Sequence, residues 1–124
     1  MSWNFNINVK VTDEFLQDVL TCAAEGGIGY WCEDYDVKRR KDLSVYEIIE
    51  MKDDDGYYFE QGAMVDLKLL VNGIRSILDG TVSVNESILD DIRKGVMDGD
   101  AGDIDAERAD CCVQAALFGE IVFG

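Results

Sequence analysis

The sequence predicts an α+β domain: a small, mainly antiparallel sheet of three to four strands with about four helices packed on one face. Three observations predict it. The first residues alternate apolar and polar. The middle of the chain returns to short apolar runs parted by turn residues. From Gly62 onward the apolar period changes from two to 3.6. At 124 residues the chain makes a single domain, 1–124. Its apolar share of 48% is the ordinary globular one, so disorder is not expected despite the charge.

Residues 3–11 set Trp3, Phe5, Ile7, Val9 and Val11 against Asn4, Asn6, Asn8 and Lys10, the pattern of a half-buried strand. Thr12 or Asp13 then caps a helix. Its apolar positions Phe15, Leu16, Val19, Leu20, Ala23 and Ala24 share one face, and Gly26 and Gly27 close it as a left-handed cap. Residues 28–37 and 44–52 read as the second and third strands. The polar loop Lys38–Asp42 between them is too short for a parallel crossover. Asp53-Asp54-Asp55-Gly56 carries the Asp-Gly signal of a hairpin turn, which returns Tyr57–Glu60 as a short fourth strand.

Met64, Leu67, Leu70, Val71, Ile74, Ile77 and Leu78 make the widest apolar face, so the helix running from Gly62 to its stop at Gly80 is the most buried. Ser83-Val84-Asn85-Glu86 has capping-box spacing and opens a helix through Ile88, Leu89, Ile92 and Val96. Asp98–Gly102 reads as a flexible loop. Asp103 caps a last helix with Ala109, Cys112, Val113 and Ala116 inward. Gly119 ends it, and Ile121–Phe123 fold back onto the body.

Charge dominates the chemistry. There are 26 Asp and Glu against 11 Lys and Arg, a net charge of -15, with no His and no Pro. Such a chain repels phosphate backbones and anionic lipid and attracts basic surfaces. Direct nucleic-acid and membrane binding are therefore not expected. No apolar run approaches the ~18 residues of a membrane span. The N-terminus lacks the basic start and apolar run of a signal peptide, so a cytoplasmic location is expected.

Cys22, Cys32, Cys111 and Cys112 form no zinc-knuckle spacing and are expected as buried reduced thiols, with a Cys22–Cys111 disulfide as the alternative. No cofactor and no metal are expected. Counted from Asp98, the string Asp98–Asp103 fails the calcium-loop pattern where it needs ligand, Gly and Glu. Nucleophilic triads that use histidine are excluded. Asp34/Asp36 and Asp103/Asp105 have the spacing of metal-chelating carboxylate pairs, which in so acidic a chain arises by chance. A metal-dependent hydrolase is the third-ranked reading, and the chain is expected not to be an enzyme.

The acids fall in three zones: Glu33, Asp34 and Asp36; Glu47 to Glu60, around Asp53, Asp54 and Asp55; and Glu86 to Asp110. Acids two apart on a strand sit ~7 Å apart and acids three or four apart on a helix ~5–6 Å apart, the scale of duplex phosphates. The excess surpasses the net charge of ~2 to 8 that solubility needs. Halophilic adaptation would give the same bias. The basic run Lys38–Lys41 holds 4 of the 11 bases and reads as a solvated loop.

Glu25-Gly26-Gly27-Ile28-Gly29-Tyr30-Trp31 is the most distinctive string. As a strand it would send Tyr30 and Trp31 to opposite faces, one of them into a second aromatic cluster or a partner hot spot. With the ending Val113-Gln114-Ala115-Ala116-Leu117-Phe118-Gly119-Glu120-Ile121-Val122-Phe123-Gly124, it resembles a group of small acidic proteins carried by bacteriophages, prophages and plasmids. That group has no activity to carry over, so no functional residues transfer. The resemblance implies an accessory protein of a mobile element, and small acidic proteins of that kind often inhibit host defence.

The expected function is a non-enzymatic inhibitor of a host-defence nuclease, an anti-CRISPR protein that mimics DNA. It would set an acidic face into the DNA- or PAM-binding groove of a Cas effector, or the DNA site of a restriction enzyme, in the host cytoplasm. The expected partner-binding residues are Glu33, Asp34, Asp36, Asp53, Asp54 and Asp55, with Asp90, Asp91, Asp98, Asp100 and Asp103 as a second face. The alternative is a phage accessory protein that self-associates as a homodimer, or binds a basic host factor, through an apolar interface at Trp31, Tyr57 or Tyr58.

Overall fold

A computed structural model describes residues 9–32, 35–39, 47–51 and 63–124. Val9–Val11 lead without regular structure into α1 (Asp13–Cys22), whose cap is Thr12: its Oγ1 accepts from the Phe15 N–H at 3.0 Å. The helix widens into a π-helical turn over Ala23–Gly27. The strands are β1 (Tyr35–Arg39), β2 (Glu47–Met51) and β3 (Ala63–Val65). They pair antiparallel in the order β1-β2-β3, with Val37 opposite Ile49 and Ile49 opposite Val65. Then come α2 (Leu67–Leu78), α3 (Glu86–Asp98), a 3₁₀ turn over Ala101–Asp103, and α4 (Ala106–Phe118).

The expectation of an α+β fold, with helices laid on one face of a sheet, is overturned: the described body is mostly helical. Helices of 10, 12, 13 and 13 residues stand against strands of 5, 5 and 3. The helices bury their apolar faces chiefly on one another. α2 packs along α4, and α1 lies against both. Among the described strand side chains, Ile49 and Val65 are the ones fully buried. They touch the bundle where β2 meets α1 and where β3 meets α2 and α4.

The α2–α4 crossing sets the body. Leu70, Ile74 and Ile77 of α2 are buried, as are Ala109, Cys112, Val113 and Ala115 of α4. Burying each large aliphatic side chain is worth roughly 1.5–3 kcal/mol. Gly73 makes the close approach possible. A Cβ built there would lie 2.5 Å from the Cys112 carbonyl oxygen and 2.7 Å from the Ala116 nitrogen, so the helices touch backbone to backbone.

Several element boundaries differ from expectation, each for a local reason. The buried helix starts at Leu67, because Asp66 caps it and residues 63–65 pair with β2. α3 is capped by Asn85 instead of Ser83, with Asn85 Oδ1 accepting from the Ile88 N–H at 2.9 Å. α4 is capped by Asp105 instead of Asp103. Asp98–Gly102 is ordered by a left-handed Gly99 and by Asp100, which caps the 3₁₀ turn. Gly26 and Gly27 form no left-handed cap. Gly27 is needed because a Cβ would strike the Ala106 carbonyl oxygen at 2.7 Å.

Of the strand expected over 28–37, the described part is Tyr35–Val37, within a strand that runs on to Arg39, while residues 28–31 form a turn. The strand expected over 3–11 lies mostly outside the described residues, and Val9–Val11 carry no strand. The Asp53–Gly56 hairpin, the Tyr57–Glu60 strand and most of the Lys38–Asp42 loop also lie outside the described residues.

Candidate functional site

Two parts of the described surface carry chemistry. The first is a polar hub where the two distinctive strings of the sequence meet. Ile28 closes the π-helical turn, and Trp31 and Cys32 donate their N–H groups back to its carbonyl at 3.1 and 2.9 Å. This turn sends Tyr30 and Trp31 to the same place, not to opposite faces. The Tyr30 hydroxyl donates to Asp110 Oδ2 at 2.7 Å and the Trp31 indole Nε1–H to Oδ1 at 2.7 Å. Gln114 Nε2, one turn along α4, donates to Oδ2 at 3.0 Å. Asp110 accepts all three bonds.

Gln114 continues the network to the end of the chain. Its Oε1 accepts from the backbone N–H groups of Val122 and Phe123, both at 2.9 Å, and its Nε2 also reaches the Phe123 carbonyl at 3.3 Å. The Phe123 ring stacks on Trp31 with centroids 5.0 Å apart and planes 4° from parallel, and Phe118 meets both edge-on. Trp31 therefore belongs to an internal cluster. Asp110 and Gln114 are 4% and 0% exposed, and each is fully bonded. Burial, then the bond to Asp110, pushes the Tyr30 hydroxyl up to about 12, although its ring is 61% exposed.

A cleft of about 460 Å³ opens beside this hub, between Tyr30, the start of α3 and the start of α4. Cys111 sits in its wall. Burial, with the Asp110 charge adding to it, raises that thiol to about 11, and burial raises Cys112 further still. All four cysteines are free thiols.

The second part is the acidic end of the body, formed by α3, the 3₁₀ turn and the start of α4. From Glu86 to Asp110 there are nine acids and three bases. Asp90 pairs with Arg93 at 3.3 Å and Asp103 with Lys94 at 3.0 Å. Arg108 is held by Asp91 at 2.9 Å and Asp105 at 3.2 Å, with Glu107 at 3.7 Å. Burial opposes the Arg108 charge, and Asp105 and Asp91 outweigh it, so its guanidinium is held still more firmly protonated. Asp100 and Asp105 serve as caps, accepting from the Gly102 and Arg108 N–H groups at 2.8 and 3.0 Å. Negative charge at a helix start is also stabilised by the dipole.

The structure thus brings together five of the expected partner-binding residues. Asp90, Asp98, Asp100 and Asp103 are exposed and Asp91 is half-buried. Asp36 contributes backbone to β1 opposite Glu50, and nothing is described of its side chain. Glu33, Asp34, Asp53, Asp54 and Asp55 lie outside the described residues, as do Tyr57 and Tyr58. Among the described residues no three potential metal ligands gather into one site. Within them, no helix is long and apolar enough to cross a membrane.

The hub is what the sequence reading misses, since it places Asp110 only in the acidic tally. A signal for it exists. From Ala109 to Phe118, Asp110 and Gln114 are the only polar residues besides cysteine, and a spacing of four puts them on one helical face. Comparison of the chain with family models, with curated proteins and with solved structures gives no match.

Proposed function

We propose that the protein is a non-enzymatic acidic binding module that occupies the nucleic-acid groove of a basic partner, acting as a DNA-mimicking inhibitor of a host-defence nuclease. The observation that carries this reading is the unneutralised acidic end. Nine acids there face three bases, and those bases are already taken up by Asp90, Asp91, Asp103 and Asp105. Apart from half-buried Asp91 and buried Asp110, the acids are exposed. An acidic array on rigid helices steers a basic partner and competes with phosphate for its Lys and Arg.

The test is capture from nuclease-treated bacterial lysate at low and high salt. A basic nucleic-acid-binding protein, captured at low salt and displaced by added DNA, supports the reading. Asp90→Lys with Asp98→Lys spares the caps Asp100 and Asp105. It is expected to slow association roughly tenfold at low salt and little at high salt. Reversal of Asp53, Asp54 and Asp55 tests the other acidic zone in the same way. Binding indifferent to salt, to DNA and to both reversals refutes the mimic.

A further inference from the structure

The cleft beside the hub combines negative charge with aromatic and aliphatic walls. Tyr30, Asn85, Glu107, Asp110, Ile121 and Phe123 are among its lining residues, and among the described residues no Lys or Arg lines it. Arg108, the base nearest in sequence, is engaged by Asp91 at 2.9 Å and Asp105 at 3.2 Å and reaches Glu107 only at 3.7 Å. Asp110 is 4% exposed, yet its partners Tyr30, Trp31 and Gln114 are all neutral donors. Buried carboxylates are ordinarily compensated by a cation. Among the described residues, Asp110 has no cationic partner. Glu107, one turn earlier on α4 and exposed, lines the same cleft. Both carboxylates lend negative potential to that space.

We propose that this cleft receives a guanidinium group, the arginine side chain of a basic partner. Its planar head suits the exposed Tyr30 ring, by stacking and cation–π attraction, while its N–H fork meets Glu107. Its alkyl stem lies along Ile121 and Phe123. Lysine fits less well because an ammonium neither stacks nor forks. This rests on the reading of the chain as an acidic binding module, which it sharpens by naming the anchor.

The experiment titrates Nα-acetylarginine N-methylamide into the isotopically labelled full chain and follows backbone and indole N–H resonances. The expected result is saturable shifts of the Trp31 indole and of the Val84, Cys111 and Ile121 amides. The lysine counterpart binds more weakly, and the neutral citrulline counterpart, of the same shape, gives no shifts. Glu107→Gln weakens binding roughly threefold to fivefold, the worth of a partly exposed ion pair. An unchanged Trp31 indole resonance in that variant certifies its fold.

Absence of saturable shifts at the cleft, equal shifts with citrulline, or unchanged affinity in Glu107→Gln overturns the proposal. No partner enters the titration. A blank titration beside DNA-displaceable capture therefore removes the cleft alone. Saturable binding without capture upholds the guanidinium site and removes only the DNA-mimic reading.

Discussion

Asp110→Asn tests the hub with nearly no change of volume. In the native network Trp31 donates to one carboxyl oxygen, and Tyr30 and Gln114 donate to the other. An asparagine side chain offers only one acceptor oxygen. If that oxygen faces Trp31, its NH₂ meets the Gln114 Nε2 donor. Turning Gln114 over would relieve the clash but strand the Val122 and Phe123 N–H groups, which both bond its Oε1. If the amide oxygen instead faces Tyr30 and Gln114, the NH₂ meets the indole N–H. Every arrangement leaves at least one donor unsatisfied.

A hydrogen bond to a charged group is worth ~1.5–3 kcal/mol, and a stranded buried donor costs ~1–3 kcal/mol. Tyr30 is largely exposed, so a net loss of about 2–3 kcal/mol is expected, out of a total stability of ~5–15 kcal/mol. Urea unfolding followed by circular dichroism reads it. The midpoint should fall by about 1 M or more with the slope unchanged. Trp31→Phe removes the conflicting indole donor, so it should cost less in the Asp110→Asn background than in the wild type, with a coupling of about 1 kcal/mol. A variant within about 0.5 kcal/mol of wild type, or strict additivity with Trp31→Phe, would refute the directional network.

Gly73→Ala should destabilise by about 1–2 kcal/mol in the same urea assay. Its Cβ would strike backbone atoms of α4, and the overpacking outweighs a helix-propensity gain of about 1 kcal/mol. Gly95→Ala should cost less, because its closest neighbours are Ile104 side-chain atoms at 2.9 and 3.0 Å and the nearest backbone atom, the Asp100 carbonyl oxygen, lies at 3.1 Å against 2.5 Å at Gly73. For Tyr30, the folded state holds the neutral phenol up to about 12 against an ordinary value of 10.0. Its stabilisation is therefore complete below pH 10 and lost as pH rises toward 12. The stability gap between wild type and Tyr30→Phe should shrink across that window, and a gap constant with pH would sink the assignment. At pH ~8 a thiol reagent should label half-buried Cys22 first and reach Cys111 and Cys112 only on unfolding.

Much of the helical half was legible because its signals are local. Thr12 at the first cap, Gly80 and Gly119 as stops, and the apolar stripe of α2 each act through neighbours within a few residues. The first half was harder to read. Tyr30 and Trp31 have strong strand propensity, yet they sit in a turn. The force that overrides propensity there comes from Asp110, some eighty residues away. Cap choice failed in a similar way at Ser83 and Asp103, where Asn85 and Asp105, two residues later, accept from the first turn.

The sequence alone determined the charge of the protein, the helical register of its second half and the lack of any histidine for catalysis, because these are properties of residues and near neighbours. Only the tertiary structure decided which acids are exposed, which neutralise internal bases, and which one is sealed behind neutral donors. It also decided that two remote strings, 25–31 and 113–124, form one hub. Charge is additive along a chain, but burial and hydrogen-bond direction depend on which surfaces the helices bring together. Asp110 and Asp98 are therefore equivalent in a charge count and opposite in role: one is a buried acceptor that holds the fold, the other a solvent-facing charge.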